Sequence, residues 1–534
     1  MKQAIKHIVV LITLLTAALQ GFTQLQHLEE SFLFRSQRIY IEQASHSSIR
    51  PVYMCDVSPE VDSTLPRNLL GLSLMFRQKP AENLKAFYFE ASPLFSLTGS
   101  YNTDSTAFRT GFGAGVAFKA GLGNVLGFHY DLAYIRQSLP LHEQQFADNF
   151  GVFPGTGREL NQFFPNNLHQ NLRLTYRPYK EISLEAGFGK NFIGDGFRSM
   201  LLSYNSANYP YAKAVLDVWH IKYQFMVAQL KDINVPEASS WGDFTSKYAY
   251  IHYLDWQITH WLNIGGFEAV ISGPQHGFDP AYLNPVIFYR PVEFSLGSVD
   301  NALLGVNAKI RITQRHQLYA QLLLDDFNVK QFAGDIKHWI HPDDNSIQWG
   351  FFGNKYAWQA GFKSFDIFGI ERLSFFTEVN LARPYTYSHH NAVQNFGHFN
   401  QSLAHPLGAN FIESVSGAAY SFGRFQVDAR FMFAQTGLDT TGKHFGQDIY
   451  KPTMDALQNG NIPVKTYYNT VGQGLKTQIL YAEITGYFYI DPRNHLAVKA
   501  SLAYRKFDNQ IQHQDNLYIQ LGISGFVFRK DGVF

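Results

Sequence analysis

Cysteine is almost absent from this chain. Cys55 is the only one among 534 residues, so an intramolecular disulfide and a cysteine-rich metal site are both excluded. Charge is scarce too: 16% of residues are Asp, Glu, Lys or Arg, against about 25% in an ordinary globular chain. With a net charge of +1 there is no field to gather nucleic acid, and none is expected as a partner. Beyond the N-terminus no run of about 18 apolar residues occurs. Any passage through a bilayer must therefore be made by strands.

Catalytic and cofactor signatures are missing as well. There is no nucleotide-type glycine-rich loop and no His-Glu-x-x-His run. Gly194-Asp195-Gly196 follows a predicted strand, but no helix signal or Lys-Ser/Thr pair comes after it, so it reads as a tight loop at a rim. His389, His390 and His405 share one predicted loop, with His398 nearby; their spacing fits no standard metal site, and solvated histidines are expected. His220, His252 and Ser374 fall on strands with nothing to mark a nucleophile and base. Glu268, Asp325, Glu378, Asp428 and Glu483 are either paired carboxylates or lumen charges matched by Lys222, Arg430, Lys499 and Arg505. No metal, no cofactor and no enzymatic activity are expected.

What the chain does have is aromatic residues, 47 Phe and 30 Tyr, in strands that alternate. Trp219, Ile221, Tyr223, Phe225 and Val227 form one face and His220, Lys222 and Gln224 the other. Phe425, Val427, Ala429, Phe431 and Phe433 oppose Gln426, Asp428 and Arg430; Leu517, Ile519, Leu521 and Ile523 oppose Gln520 and Ser524. Such alternation separates a lipid-facing from a lumen-facing side. Trp219, Tyr223, Phe431 and Leu521 are expected to face lipid, and Lys222, Arg430 and Lys499 to face inward.

The connections alternate between short and long. Upward strands begin near Lys85, Val125, Ile182, Trp219, Leu262, Gln317, Leu373, Phe425 and His495. Downward strands begin near Gly111, Leu168, Tyr211, Tyr248, Asn301, Tyr356, Glu413, Lys476 and Asn516. Short turns follow the downward strands, and mostly long loops follow the upward ones, as in an outer-membrane barrel with short periplasmic turns and long extracellular loops. The expected fold is all-β: a transmembrane antiparallel barrel of eighteen strands, or sixteen, because residues 212–216 and 262–271 alternate poorly.

At the N-terminus, Lys2 and Lys6 precede an apolar run from Ile8 to Leu19. Gly21 and Thr23 then suit cleavage before Gln24. This divides the chain into a signal peptide, 1–23, a periplasmic or lumen-inserted segment, 24–80, and the barrel, 81–534. A terminal aromatic, Phe534, after the last strand resembles the signal read by the outer-membrane insertion machinery. Membrane lipid and lipopolysaccharide are the other expected contacts.

Three stretches carry a family resemblance: residues 194–211, GDGFRSMLLSYNSANYPY; residues 283–307, LNPVIFYRPVEFSLGSVDNALLGVN, followed by 317–327, QLYAQLLLDDF; and residues 405–411, HPLGANF. Together they are similar to the Wzi-type capsule assembly family, in its RemB-like gliding motility branch. The resemblance runs from about Lys85 to the C-terminus. It implies an eighteen-stranded barrel and a non-enzymatic role at the cell surface, with surface polysaccharide as a partner or with motility. Phe197 and Arg198 stand where capsule-type members are richer in Trp and Pro. The alternatives are a transporter plugged by residues 24–80 and a barrel hydrolase.

Candidate ligand residues lie in loops able to fold into the mouth: Asp195, Arg198, Asn205, Arg290, Glu293, Asp300 and Asn301, with Tyr289, Tyr385, His405 and Asn410. Tyr209, Tyr211, Tyr387 and Trp358 join Tyr289 and Tyr385 as either sugar-stacking platforms or interface girdle residues. Residues 272–300 contain Pro274, Pro280, Pro285 and Pro291, so they do not run as regular strand or helix for long. Their apolar runs 286–288 and 292–294 need cover, and the loop is expected to fold inward over the pore.

Overall fold

The computed structural model describes residues 46–52, 74–77, 87–103, 107–136, 139–157, 166–236, 244–275, 277–284, 300–453, 465–491 and 496–525. The expected signal peptide, Cys55, Tyr289, Arg290, Glu293, the apolar runs 286–288 and 292–294, and Phe534 lie outside them.

Besides the four-residue strand Leu74–Arg77, which pairs antiparallel with the first of them, eighteen strands form the wall. They are β1 Phe87–Asn102, β2 Ala107–Leu122, β3 Leu126–Arg136, β4 Asn166–Tyr179, β5 Ile182–Gly189, β6 Tyr209–Val218, β7 Ile221–Pro236, β8 Phe244–Gln257 and β9 Leu262–Ser272. The circuit continues with β10 Asn301–Arg311, β11 His316–Leu324, β12 Tyr356–Phe365, β13 Leu373–Ala382, β14 Phe411–Phe422, β15 Phe425–Leu438, β16 Leu475–Asp491, β17 Leu496–Asp508 and β18 His513–Ser524. Each pairs antiparallel with its neighbours, and β18 closes on β1 through Ser524↔Ser96 to Tyr518↔Asn102. Full closure leaves no open edge, which a strand-built membrane span requires. The weakly alternating segments are both strands, β6 and β9, so the count is eighteen and not sixteen.

Alternation sorts the side chains as the period of two demands. Phe431, Phe433, Leu502, Ile519 and Leu521 point outward and are exposed. Tyr223 shares their side, since it pairs with the exposed Leu216. Lys222, Arg430 and Lys499 point inward, where Lys222 meets Asp217 at 3.3 Å. Trp219 is exposed but stands in the turn before β7, at φ +61, rather than on a strand. Glu268 departs from expectation. It lies opposite His252 and the exposed Leu304, on the outward face, and is not a lumen charge.

The lumen from β7 to β14 is packed with chain. Loop 190–208, between β5 and β6, and loop 383–410, between β13 and β14, both fold inward. Their Ile193, Met200, Leu201, Leu202, Phe396, Leu403 and Leu407 meet wall residues Met226, Leu230, Ile251, Phe267, Ile271 and Leu303 in one buried apolar cluster. The short strand Ile49–Arg50 pairs with Phe192–Ile193 inside it. Among the described residues two α-helices break the long loops, α1 Leu141–Phe150 and α2 Val329–Ile340.

Residues 277–284 run the other way. Tyr282 packs on Tyr250, Val270 and Ala302, all on the outward side of β8–β10, with its ring 5.1 Å from that of Tyr250. The Tyr250 hydroxyl accepts from the Asp279 amide at 2.8 Å. This part of the loop expected in the pore is a strap on the outer wall. Aromatic rings find matching cover there, whereas the lumen beneath is already filled.

Candidate functional site

Two latches hold loop 190–208 in the lumen. The first centres on Asp195. Its carboxylate accepts from the Ser47 hydroxyl at 2.5 Å and from the Asn307 amide at 3.0 Å, with the Lys309 ammonium at 3.7 Å. Lys363 donates to its backbone carbonyl. Burial alone would raise this acid, but Lys309, Ser47, Asn307 and Arg50 together hold it below the usual carboxylate value. Gly194, at φ +143, turns the chain here; a Cβ would stand 2.2 Å from Gln321 Nε2. The Gly-Asp-Gly turn is thus deep in the lumen rather than at a rim.

The second latch pairs two wall carboxylates with the next residues. Glu378 accepts from the Phe197 and Arg198 amides at 2.8 and 2.9 Å and from the Tyr319 hydroxyl at 2.8 Å. Glu413 takes the Arg198 guanidinium at 3.0 Å, His405 Nε2 at 2.7 Å and the Asn380 amide at 2.9 Å. The Phe197 ring stacks on Phe376 at 5.1 Å, and the inward Arg430 caps it at 5.0 Å. Arg198 and Glu413 are fully buried, so the pair depends on these added bonds to offset desolvation.

The other candidates tie loop to loop. Asn205 donates to the Ser402 carbonyl at 2.9 Å. Asn410 donates to the Gly437 and Gln473 carbonyls, both at 2.8 Å, and accepts from the Gly472 amide at 2.7 Å. Tyr385, at φ +69, donates to the His444 carbonyl at 3.2 Å. Asp300 accepts from Tyr282 on the outer strap and from Gln394 of loop 383–410, at 2.9 and 2.7 Å; Asn301 donates to the Gln394 carbonyl. Arg198 and His405 are brought together, and Asp195 lies three residues along the same loop. Asp300, Asn301, Tyr385 and Asn410 sit apart, at the long-loop end.

Of the four loop histidines, His389, His398 and His405 are buried rather than solvated, whereas His390 is exposed. His398 Nδ1 accepts from the Lys231 amide at 2.9 Å, and burial holds its pKa down to about 3. Burial likewise holds His389 at about 3. Among the described residues no cluster of three or more His, Cys, Asp or Glu could hold a metal ion. Tyr209 and Tyr211 are neither platforms nor girdle. They point inward, and Tyr211 bridges Arg173 at 2.9 Å and Glu185 at 2.5 Å. His220 lies in the turn before β7 and Ser374 on β13, six strands apart around the wall.

Sequence reasoning missed most of the receiving residues: Glu413, Asn380, Gln321, Asn307 and Lys309. Their signal was present, since each is a polar residue at an inward position, but nothing local says which loop it receives.

The fold resembles that of Wzi. This Escherichia coli protein is an outer-membrane protein involved in group 1 capsule assembly and a carbohydrate-binding β-barrel. The two structures align at TM-score 0.55 and 10% identity, covering 95% of this chain and 100% of that one. OccK5 (OpdH) of Pseudomonas aeruginosa aligns at TM-score 0.42 and 9% identity, over 82% of this chain and 97% of its own. At such identities the likeness is one of fold. No protein-family model and no curated sequence matches the chain.

Proposed function

We propose that this chain is a non-enzymatic outer-membrane barrel of the cell surface, where it attaches or assembles a capsule or exopolysaccharide. Gliding motility or adhesion, as in the RemB-like branch, is the finer form of the same reading. The observation that carries it is the latched lumen: loops 190–208 and 383–410 fill the β7–β14 side with their charges satisfied internally. A wall whose interior is occupied this way scaffolds its long-loop end instead of conducting. The carbohydrate binding of Wzi supports a glycan as the ligand.

In this reading Asp195, Arg198, Asn205, Asp300, Asn301, Tyr385, His405 and Asn410 shape the ligand surface by holding the loops. Trp349, Phe351, Tyr467 and Tyr468, clustered ring to ring at that end, offer sugar-stacking faces. The outward apolar belt meets lipid and lipopolysaccharide, residues 1–23 direct export, and Phe534 addresses the insertion machinery. The test is glycan binding by the purified barrel together with polysaccharide retention and gliding in a deletion strain. Trp349→Ala with Tyr468→Ala should reduce binding while the barrel still inserts. Normal retention and gliding in the deletion strain, with loss of solute uptake, would overturn the proposal.

A second reading, a transporter, draws on the half-buried inward pair Arg430 and Glu483, 3.9 Å apart on β15 and β16. Planar-bilayer conductance separates the two: a large stable pore favours transport, and a closed lumen favours the scaffold.

A further inference from the structure

Helix α2 is amphipathic the wrong way round for a helix resting on a protein. Asn328 caps its N-terminus, accepting from the Lys330 and Gln331 amides at 3.0 and 3.2 Å. Val329, Phe332, Ile336, Trp339 and Ile340 recur at i, i+3, i+7, i+10 and i+11, which lays them on one stripe. In a globular protein such a stripe faces the core. Here the other side does. Asp335 accepts from Arg383 at 3.1 Å and from the Gly350 amide at 2.6 Å. His338 stacks flat on Trp349 at 4.3 Å, and Gly334 lies so close to the Gln348 carbonyl that a Cβ would stand 2.2 Å from it. The apolar stripe looks away: Trp339 is 83% exposed, Val329 73%, Ile340 56% and Ile336 46%.

Position identifies the occupant. Phe332 packs on Phe327 and on Tyr356, with ring centroids 5.1 and 6.1 Å away. Tyr356 begins β12 on its outward side, the side of Trp358 and of Leu322, its register partner on β11. The stripe therefore continues the wall's lipid-facing belt past the end of the strands. Lys330 and Lys337 are exposed along one edge of the stripe, placed for anionic headgroups.

We propose that α2 is an interfacial helix, seated with Val329, Ile336, Trp339 and Ile340 in the outer leaflet of the membrane that holds the barrel. Its seat sets the height of the aromatic loop cluster through Asp335–Arg383 and His338–Trp349. The inference rests on the membrane-barrel reading, and the experiment keeps the two apart. In a Cys55→Ser background of the full chain, Ile336→Cys and Trp339→Cys are labelled with an environment-sensitive fluorophore. Leu521→Cys is the wall control and Asp343→Cys the aqueous control. All are reconstituted in phospholipid vesicles containing lipopolysaccharide. Nitroxide-bearing lipids should quench labels at 336 and 339 as strongly as the label at 521, and a water-soluble quencher should reach only the label at 343. Aqueous quenching at 336 and 339 beside lipid quenching at 521 overturns the helix proposal alone. Labels at 336 and 339 shielded from both quenchers overturn it in favour of a protein contact. Failure of lipid quenching at 521 overturns the membrane-barrel reading itself.

Discussion

Loop 190–208 and residues 277–284 follow upward strands on neighbouring stretches of the same wall, yet one enters the lumen and the other lies on the outer face. The first is rich in small and polar residues, with Asp195 and Arg198 matched by Lys309, Glu378 and Glu413 on the inward side. Glycine and serine let its backbone approach strands closely. The second presents Phe278 and Tyr282, and its partners are the outward Tyr248 and Tyr250. What decides the direction is complementarity with the receiving surface, because a buried charge needs a partner where it lands and an aromatic ring does not.

The sharpest way to break this contrast is Arg198→Ala. It leaves Glu413 buried without its cation, a loss of about 3–5 kcal/mol when one member of a buried pair is removed. Denaturant unfolding of the reconstituted barrel should shift accordingly, and loop 190–208 should become open to protease while residues 277–284 stay protected. Equal protection of loop 190–208 in the variant would mean that packing, not the charge latch, holds it.

Gly194→Ala should cost less, about 1–3 kcal/mol, from an unfavourable φ and contact with Gln321. Hydrogen exchange should rise at the Asp195 latch, with the Arg198 latch less affected. Tyr282→Phe tests the strap and should be milder, about 0.5–1.5 kcal/mol for its bond to Asp300. Exchange should rise at residues 277–284 and leave the lumen loops unchanged. A lumen loop that loosens as well would show that Asp300 couples the two through Gln394.

Acid should separate two parts of the plug, with no effect at neutral pH. His398 is held neutral by burial, so its contribution is full above its ordinary value of 6.5 and is lost as pH falls from there towards about 3. Asp195 is depressed below its ordinary value of 3.8, so its latch weakens only below that. Exchange measured down a pH series should rise first around Lys231 and His398 and later around Ser47 and Asn307. Simultaneous loosening would count against separate latches.

The barrel was largely legible in the sequence. All eighteen expected strand starts lie within four residues of those observed, because a half-buried strand writes its two environments into alternate residues. Both loop helices escaped that reading, since a twelve-residue helix such as α2 gives only a short periodic signal inside a long loop. Arg198 and Asp195 could be picked as charged residues in an irregular loop, but not their partners. Asn307, Glu378 and Glu413 lie 112, 180 and 215 positions away along the chain.

Local pattern thus determined the alternation of turns and loops and which side of most strands is apolar, and it left the strand count at eighteen or sixteen. Those properties depend on neighbours one or two residues apart. It could not determine which loop occupies the lumen, why Glu268 faces out, or that α2 turns its apolar stripe from the protein. Those outcomes depend on surfaces assembled from strands far apart in sequence, which exist only once the barrel has closed.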